Sequence, residues 1–540
     1  MTIQTLKDRL FSPADPPCPG GGPLSWLERG LRSVPLPLLA LLSALLAAVG
    51  AYHLLVILGH GNPDALCEGL VAYTGADWAT ACGRWAIRYL NLLSGNIIMP
   101  GVWVALYALC CALSALLLAR LWSIKSPLAV CLTACLLTVN PTVIEQSLLQ
   151  YMFMTWGVSN LLGVLFVYLC CTEGRAYRRY LLAPLSMAFA FGLYQACVGL
   201  MCACFCMTLI LGLLRGGSVK EMLSAVLRFA LSAALGTLLY FLILRVEIVR
   251  WGVDESERVQ LFSPAGILSS LSATLPGAYR TYFAYFFDHR LSRSRFYALL
   301  FCIGLLWVLA ALARLLRARR FGACAFAVLL LALIPAFSNL ADIIFPYNEP
   351  VLIMQYQSML VVPFLLALPA EEKKERAPAV RAVRALAALL CFFVFWTYLV
   401  SANATYRSYD LSYRSTYFAV SAAMNRVYAL PDYSPEEVVA FAGFPDDALL
   451  RQRFPSYRNA YAMYDNLVFW DGMMGLQVCR KSYLLNYFGL DGGHVYGHLY
   501  NEAVASEEFR EMPVWPAEGS VRRINQLILV KFSEDPTIFT

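Results

Sequence analysis

Long apolar runs separated by short polar breaks dominate the chain up to about residue 402. The first runs from Leu36 to Leu58 and the next from about Ile97 to Leu121. Runs of about twenty apolar residues are long enough to cross a bilayer as helices, and the pattern predicts about eleven spans. Span three, about Pro127 to Val139, stops at the helix-breaking pair Asn140-Pro141. Span four covers about Leu149 to Cys171. The run Tyr180 to Leu214 is too long for one span and too short for two plus a loop. It reads as a tight helical hairpin whose one polar interruption, Tyr194-Gln195, marks the tip. Span seven covers about Met222 to Leu244 and span eight about Phe296 to Leu316. Span nine ends near Pro335, span ten follows a polar stretch holding Asp342, Tyr347, Asn348 and Glu349, and span eleven covers about Ala385 to Val400.

Charge orients this ladder. Arg29 and Arg32 precede the first span, and Arg120, Lys125, Arg175, Arg178, Arg179, Arg215, Lys220, Arg314, Arg317, Arg319 and Arg320 fall at alternate turns. Basic residues gather on the cytoplasmic side. Residues 1–35 are therefore expected to be a cytoplasmic leader without a cleavable signal, and 36–402 the transmembrane domain. The loops 59–96 and 245–295 are expected outside. The second of them holds an amphipathic piece, SPAGILSSLSATLPGAYRTYFAYFFDHR, suited to lying in the interface with its aromatics among headgroups. The cluster EEKKERAPAVRAVR before span eleven is cytoplasmic, so 403–540 is extracytoplasmic. There the apolar runs stop. A helical pattern over about Thr416 to Tyr428 and strand-like pieces at Val438–Ala442 and Leu527–Phe532 predict a small α/β domain. The expected fold class is an all-α polytopic membrane protein carrying that domain at its carboxyl end.

Composition agrees: 59% of residues are hydrophobic, 14% are charged, and mean hydropathy is +0.60. A soluble enzyme would carry roughly a quarter charged residues. The net charge of +7 follows from the loop bias and is no sign of nucleic acid. Most of the seventeen cysteines lie in apolar runs, where thiols act as small hydrophobes. Cys67 and Cys82 share the first outer loop, where an oxidising compartment would permit a disulfide.

The segment His60 to Tyr89 departs from the pattern. It is long for a connection and holds Asp64, Glu68, Asp77, Tyr73, Trp78 and an Arg84 next to Gly83, the composition of a working surface. Each candidate has a plainer alternative. The acids can be solvated loop residues, Arg84 a headgroup anchor, Tyr194-Gln195 a turn, and Asp288-His289-Arg290 the charged end of an amphipathic helix. Glu145 follows a broken span, where an acid at membrane depth is a functional candidate. His494 and His498 have metal-pair spacing but lack the accompanying glutamate, so no metal site is assigned.

The first-loop acids followed by Gly83-Arg84-Trp85, the NPTVIEQ segment from Asn140 to Gln146, and the FGLYQACVGL tip around Tyr194-Gln195 together resemble the bacterial glucosyltransferase II family. Its members are O-antigen glucosyltransferases that decorate surface glycans. The resemblance implies a membrane glycosyltransferase C-like fold in the cell membrane and transfer of a hexose, by analogy glucose, from a polyprenyl-phosphate donor. The acceptor would be a surface glycan or lipid-linked saccharide on the outer face. It puts Asp64 at the acidic position. The family often has two adjacent acids there, so Asp64, Glu68 and Asp77 all stay open as the base. Arg84, then Arg280 and Arg290, are the phosphate-binding candidates, because a planar guanidinium binds phosphate bidentately. Trp78, Trp85, Glu145, Tyr194, Gln195, Asp288 and His289 are the substrate-binding candidates. No cofactor is required, and a divalent cation stays open.

A transporter or flippase of lipid-linked saccharides, and a membrane assembly protein, are the rivals. The absence of an evident internal repeat and the placing of acids at span ends favour the enzyme. The topology has a direct check: reporter fusions after residue 403 should read extracytoplasmic, and a cytoplasmic reading would overturn the placement of every candidate.

Overall fold

Every apolar run read above as a span contains a helix in the computed structural model, which describes residues 25–59, 72–172, 174–256, 264–344, 352–368, 378–443, 445, 477–490 and 497–536. The helices used below are α1 (Leu36–Leu58), α2 (Ala76–Ala81), α3 (Ala86–Leu92), α4 (Pro100–Leu121), α5 (Pro127–Thr138), α6 (Pro141–Ser147), α7 (Phe153–Cys171), α8 (Ala183–Leu193) and α9 (Cys197–Leu214). They continue with α10 (Val219–Trp251), α11 (Pro264–Phe287), α12 (Arg295–Arg317), α13 (Phe321–Ser338), α14 (Val361–Ala367) and α15 (Pro378–Tyr428).

Among the described residues eight helices are long and apolar enough to cross a membrane, or up to nine if the bent pair α5 and α6 forms one span. The other two runs expected to cross carry shorter helices, α8 and the stretch Tyr356–Ala367. Both have irregular first turns. A π-helical turn, Arg178–Leu182, leads into α8, and a 3-10 turn, Tyr356–Leu360, leads into α14.

The break between α5 and α6 bends the chain by 43°. Pro141 has no N–H to continue the first helix. Asn140 repairs both ends. Its amide donates to Leu136 O and Leu137 O (3.0 and 3.3 Å), and its Oδ1 accepts from Val143 N (3.1 Å) as the cap of α6.

The chain divides into two compact units, one of residues 1–53, 75–147 and 152–402, the other of 54–74, 148–151 and 403–540. In the first, α7 packs against α4, α8 and α9, while α8 lies on α10 and α9 on α13. Small residues permit these close approaches, as in membrane helix pairs generally. A Cβ on Gly157 would stand 2.8 Å from Tyr107 Cδ2, and one on Gly199 only 2.3 Å from Ser338 O. Helix α11 departs in part from the expected interfacial helix. Its i, i+3, i+4 stripe Tyr282, Tyr285 and Phe286 is buried beside Tyr297 and Phe301 of α12, while Phe283 and Phe287 stay exposed.

In the second unit a three-stranded sheet has the order β1 (Val438–Ala442), β3 (Leu527–Lys531), β2 (Val521–Ile524), with β1 parallel and β2 antiparallel to β3. The expected strands are there. The sheet buries Ala440, Ala442, Ile524, Leu527 and Leu529 against Tyr500, Ala503, Phe509 and Met512. Lys531 is buried with its Nζ donating to Met512 O (2.7 Å) and Phe509 O (3.2 Å). Arg426 from α15 donates to Pro516 O and Ala517 O (both 2.8 Å). The change of composition at Asn403 does not end a helix: α15 continues for 51 residues, with no glycine and no proline after Pro378 to stop it.

At the edge of this sheet the Arg523 fork reaches both oxygens of Glu437 (2.6 and 3.0 Å), and the Ser434 N–H donates to Oε2 (2.9 Å). These bonds hold the Glu437 carboxyl down at about 2. A carboxyl depressed on folding contributes stability above its ordinary value and loses it as pH falls toward the folded value. The melting temperature of the protein should therefore drop between about pH 4.5 and pH 2. Glu437→Gln should melt lower at neutral pH and lose that part of the acid slope. Equal slopes for the two proteins would refute it.

Candidate functional site

The segment between α2 and α3 is a tight turn. Gly83 has φ +80°, the left-handed conformation that ends a helix, and the Arg84 N–H returns to Ala79 O (2.7 Å). This places Arg84 between two fixed neighbours. Trp85, 3% exposed, wedges against α8, where a Cβ on Gly192 would lie 2.5 Å from the indole Cε2. Phe189 meets the same indole edge-on at 5.2 Å. On the other side, Gln195 Nε2 donates to Cys82 O (2.8 Å) and to Tyr240 Oη (3.2 Å), and the Tyr240 hydroxyl donates to Gly83 O (3.0 Å).

Two of the motifs read from sequence are thus joined in space. The Gly83-Arg84-Trp85 turn and the Tyr194–Ala196 turn between α8 and α9 form one polar junction, completed by Tyr240 of α10. The expected hairpin tip is a turn with Tyr194 in extended backbone (φ −159°), and both of its helices pack on α7.

The Arg84 guanidinium lies over the Tyr194 ring, 5.2 Å from its centroid. Trp156 meets that ring edge-on at 5.7 Å. Arg84 is half-buried and its Nε has no hydrogen-bond partner. Among the described residues no carboxylate pairs with it. One helical turn on, Arg88 behaves differently: it pairs with Asp77 and stacks on Trp251, 4.0 Å from the ring centroid. Beside it Glu247 Oε2 accepts from the Tyr89 hydroxyl (2.6 Å) and Trp251 Nε1 (2.9 Å). Burial and the Glu247 carboxylate push the Tyr89 hydroxyl up from its ordinary value, which keeps it a donor.

The remaining candidates are dispersed or lie beyond view. Asp64, Glu68 and Cys67 fall outside the described residues, and Cys82 is a buried free thiol. Asp77 is an exposed acid already paired with Arg88. Trp78 is exposed, Arg280 is exposed on α11, and Asp288 lies at the end of that helix. The side chains of His289 and Arg290 are outside the description, as is His494. His498 pairs with Glu502 at 3.4 Å. Glu145 is buried and pairs with Arg293.

Sequence reasoning missed Tyr240 and Arg293. A tyrosine in an apolar run reads as core, so nothing marked Tyr240. Arg293 had a signal, because an acid buried after a broken span requires a cation nearby.

A family model described as Glucosyl transferase GtrII matches residues 68–368, an interval that contains Arg84, Glu145, Tyr194, Gln195, Tyr240 and Arg293. Neither a curated protein nor a solved structure matches the chain.

The Trp85 wedge can be tested without touching a charged group. Gly192→Ala forces the indole away from α8, an overpacking cost of about 1–3 kcal/mol. We expect an inserted but less stable protein whose Arg84 turn is displaced. Sugar transfer should fall and tryptophan emission should shift to the red, and unchanged emission with unchanged transfer would rule out the wedge.

Proposed function

The chain belongs to the GtrII glucosyl transferase family, and from that premise we propose that it moves a glucose residue from a polyprenyl-phosphate donor to a cell-surface glycan or lipid-linked acceptor. The reaction takes place at the outer face of the cytoplasmic membrane, with the amino terminus inside and residues 403–540 outside. The observation that carries this reading is Arg84, a half-buried guanidinium resting on an aromatic ring with no carboxylate to neutralise it among the described residues. Such a cation calls for an anion, and a guanidinium fork matches a phosphate.

The chemistry follows from the donor. An acceptor hydroxyl oxygen forms a bond to the anomeric carbon while the bond from that carbon to the phosphate oxygen breaks. The electron pair leaves with the polyprenyl phosphate, and the hydroxyl proton passes to a carboxylate. Arg84 stabilises the charge that grows on the departing phosphate. Tyr194 supports the guanidinium from below its plane. Asp64, just after α1 in the chain, is the residue we assign as the base, with Glu68 as the alternative. Asp77 serves that role poorly because Arg88 already claims it.

Sugar transfer by the purified full-length protein from a panel of polyprenyl-phosphate hexoses tests the reading. The glucose donor should be used, and a protein that transfers from none of them would end it. Asp64→Asn should lower the rate by about 10²- to 10⁴-fold, the usual contribution of a general base. Arg84→Lys keeps the charge but loses the fork, so donor KM should rise by about tenfold with a smaller effect on kcat. Near wild-type transfer by both variants would take the active site away from this loop.

A further inference from the structure

Glu145 and Arg293 form an ion pair with side chains only 8% and 9% exposed. They come from distant breaks in the helical pattern. Glu145 sits on α6, just beyond the 43° bend at Asn140-Pro141. Arg293 lies between the short helix His289–Ser292 and α12, with φ +52°. A side chain takes that left-handed conformation at a cost. A buried ion pair is often no more stabilising than apolar side chains of equal volume. Stability alone therefore does not account for a charged pair set on strained backbone.

The groups around the pair leave hydrogen-bonding capacity over. Glu145 Oε1 meets Arg293 Nη2, and no bond to Glu145 Oε2 is found among the described residues. Gln146 Oε1 and Ser294 Oγ are buried without a partner, in residues 1% and 3% exposed. Arg293 Nη1 reaches Ser401 Oγ at 3.3 Å. Thr142 Oγ1, one turn before Glu145, is also buried without a hydrogen-bond partner. Charge decides what this set can hold. Among the described residues Arg84 has no acid beside it and suits a phosphate, whereas Glu145 offsets Arg293 and would repel one. Neighbouring sugar hydroxyls each donate and accept, which matches a carboxylate beside a guanidinium, a hydroxyl and an amide oxygen.

We propose that the Glu145–Arg293 pair is the subsite for the hydroxyls of the donor's hexose, with Glu145 accepting from the sugar and Arg293 as the positioning residue that holds the carboxylate. This rests on the donor class proposed above. Division of labour follows: Arg84 holds the phosphate, and Glu145 distinguishes a sugar-bearing lipid from a bare one.

Binding, not turnover, tests it. Full-length protein in lipid nanodiscs is titrated with polyprenyl-phosphate glucose and with sugar-free polyprenyl phosphate. Wild type should hold the glucose-bearing lipid about tenfold tighter or more, the worth of one hydrogen bond to a charged group. Glu145→Gln should erase that difference and leave the affinity for the bare lipid unchanged. Because Gln would take the carboxylate away from a buried guanidinium, the double variant E145M/R293M is a second route. It replaces the pair with apolar side chains that the fold can keep, and it should show the same loss of discrimination. Arg84→Ala should weaken both lipids together. Variants that keep the wild-type difference, lose both lipids in parallel, or a wild type that shows no difference would each overturn the subsite while sparing the donor class. A wild type that binds neither lipid would overturn the donor class and the subsite with it.

Discussion

The bond from Gln195 Nε2 to the Cys82 carbonyl answers a constraint that shapes the first unit throughout. A helix that breaks in apolar surroundings frees backbone groups that water cannot reach, and each left unpaired costs several kcal/mol. Here side chains close the gaps. Gln195 and Tyr240 take the carbonyls of Cys82 and Gly83. Asn140 takes those of Leu136 and Leu137. Arg215 takes those of Trp122 and Ala367, at 2.7 and 2.9 Å. The breaks are thus where amides, hydroxyls and guanidinium groups gather, so the same requirement that repairs the backbone concentrates the polar chemistry.

The arginines divide by what satisfies them. Arg215 and Arg320 point at backbone carbonyls and act as clamps on helix ends. Arg88 is neutralised by Asp77 and covered by Trp251. Arg293 is neutralised by Glu145. Among the described residues Arg84 meets no carboxylate and rests on the face of Tyr194, an attraction worth about 0.5–2 kcal/mol and far short of a counter-ion. Identical side chains in one apolar scaffold therefore have different capacities for an incoming anion, and the local partner sets which is which.

Much of this was legible in the sequence, for physical reasons that also explain what was not. Spans are visible because hydrocarbon imposes length and apolarity together. Tyr194-Gln195 stood out as the one polar interruption in a long apolar run, and Gly83-Arg84-Trp85 through a glycine beside a charge. That these two motifs meet is tertiary information: it depends on Gly192 admitting the Trp85 indole. Tyr240 was invisible because a buried tyrosine in an apolar run looks the same whether or not its hydroxyl holds the turn. Arg293, placed between two serines before a span, carried no motif of its own, and only the buried Glu145 called for a cation there. The change of composition at Asn403 coincides with the division between the two units, yet the helix runs through it because no residue there breaks the backbone.

Arg84 also shows why position matters as much as charge. Its backbone is held on one side by the Tyr240 hydroxyl on Gly83 O and on the other by the Trp85 indole seated against Gly192. In the phosphate role proposed for it, the guanidinium would have its own side-chain torsions to order, and the Tyr194 ring already limits those. Ordering a long charged side chain on binding costs about 0.5–1.5 kcal/mol, and a site whose neighbouring residues are already packed avoids the further cost of ordering the backbone. The hydrogen bonds that satisfy the broken helix and the packing that seats the tryptophan therefore make the turn stable, and under the proposed role they would also hold the cation in place for its anion.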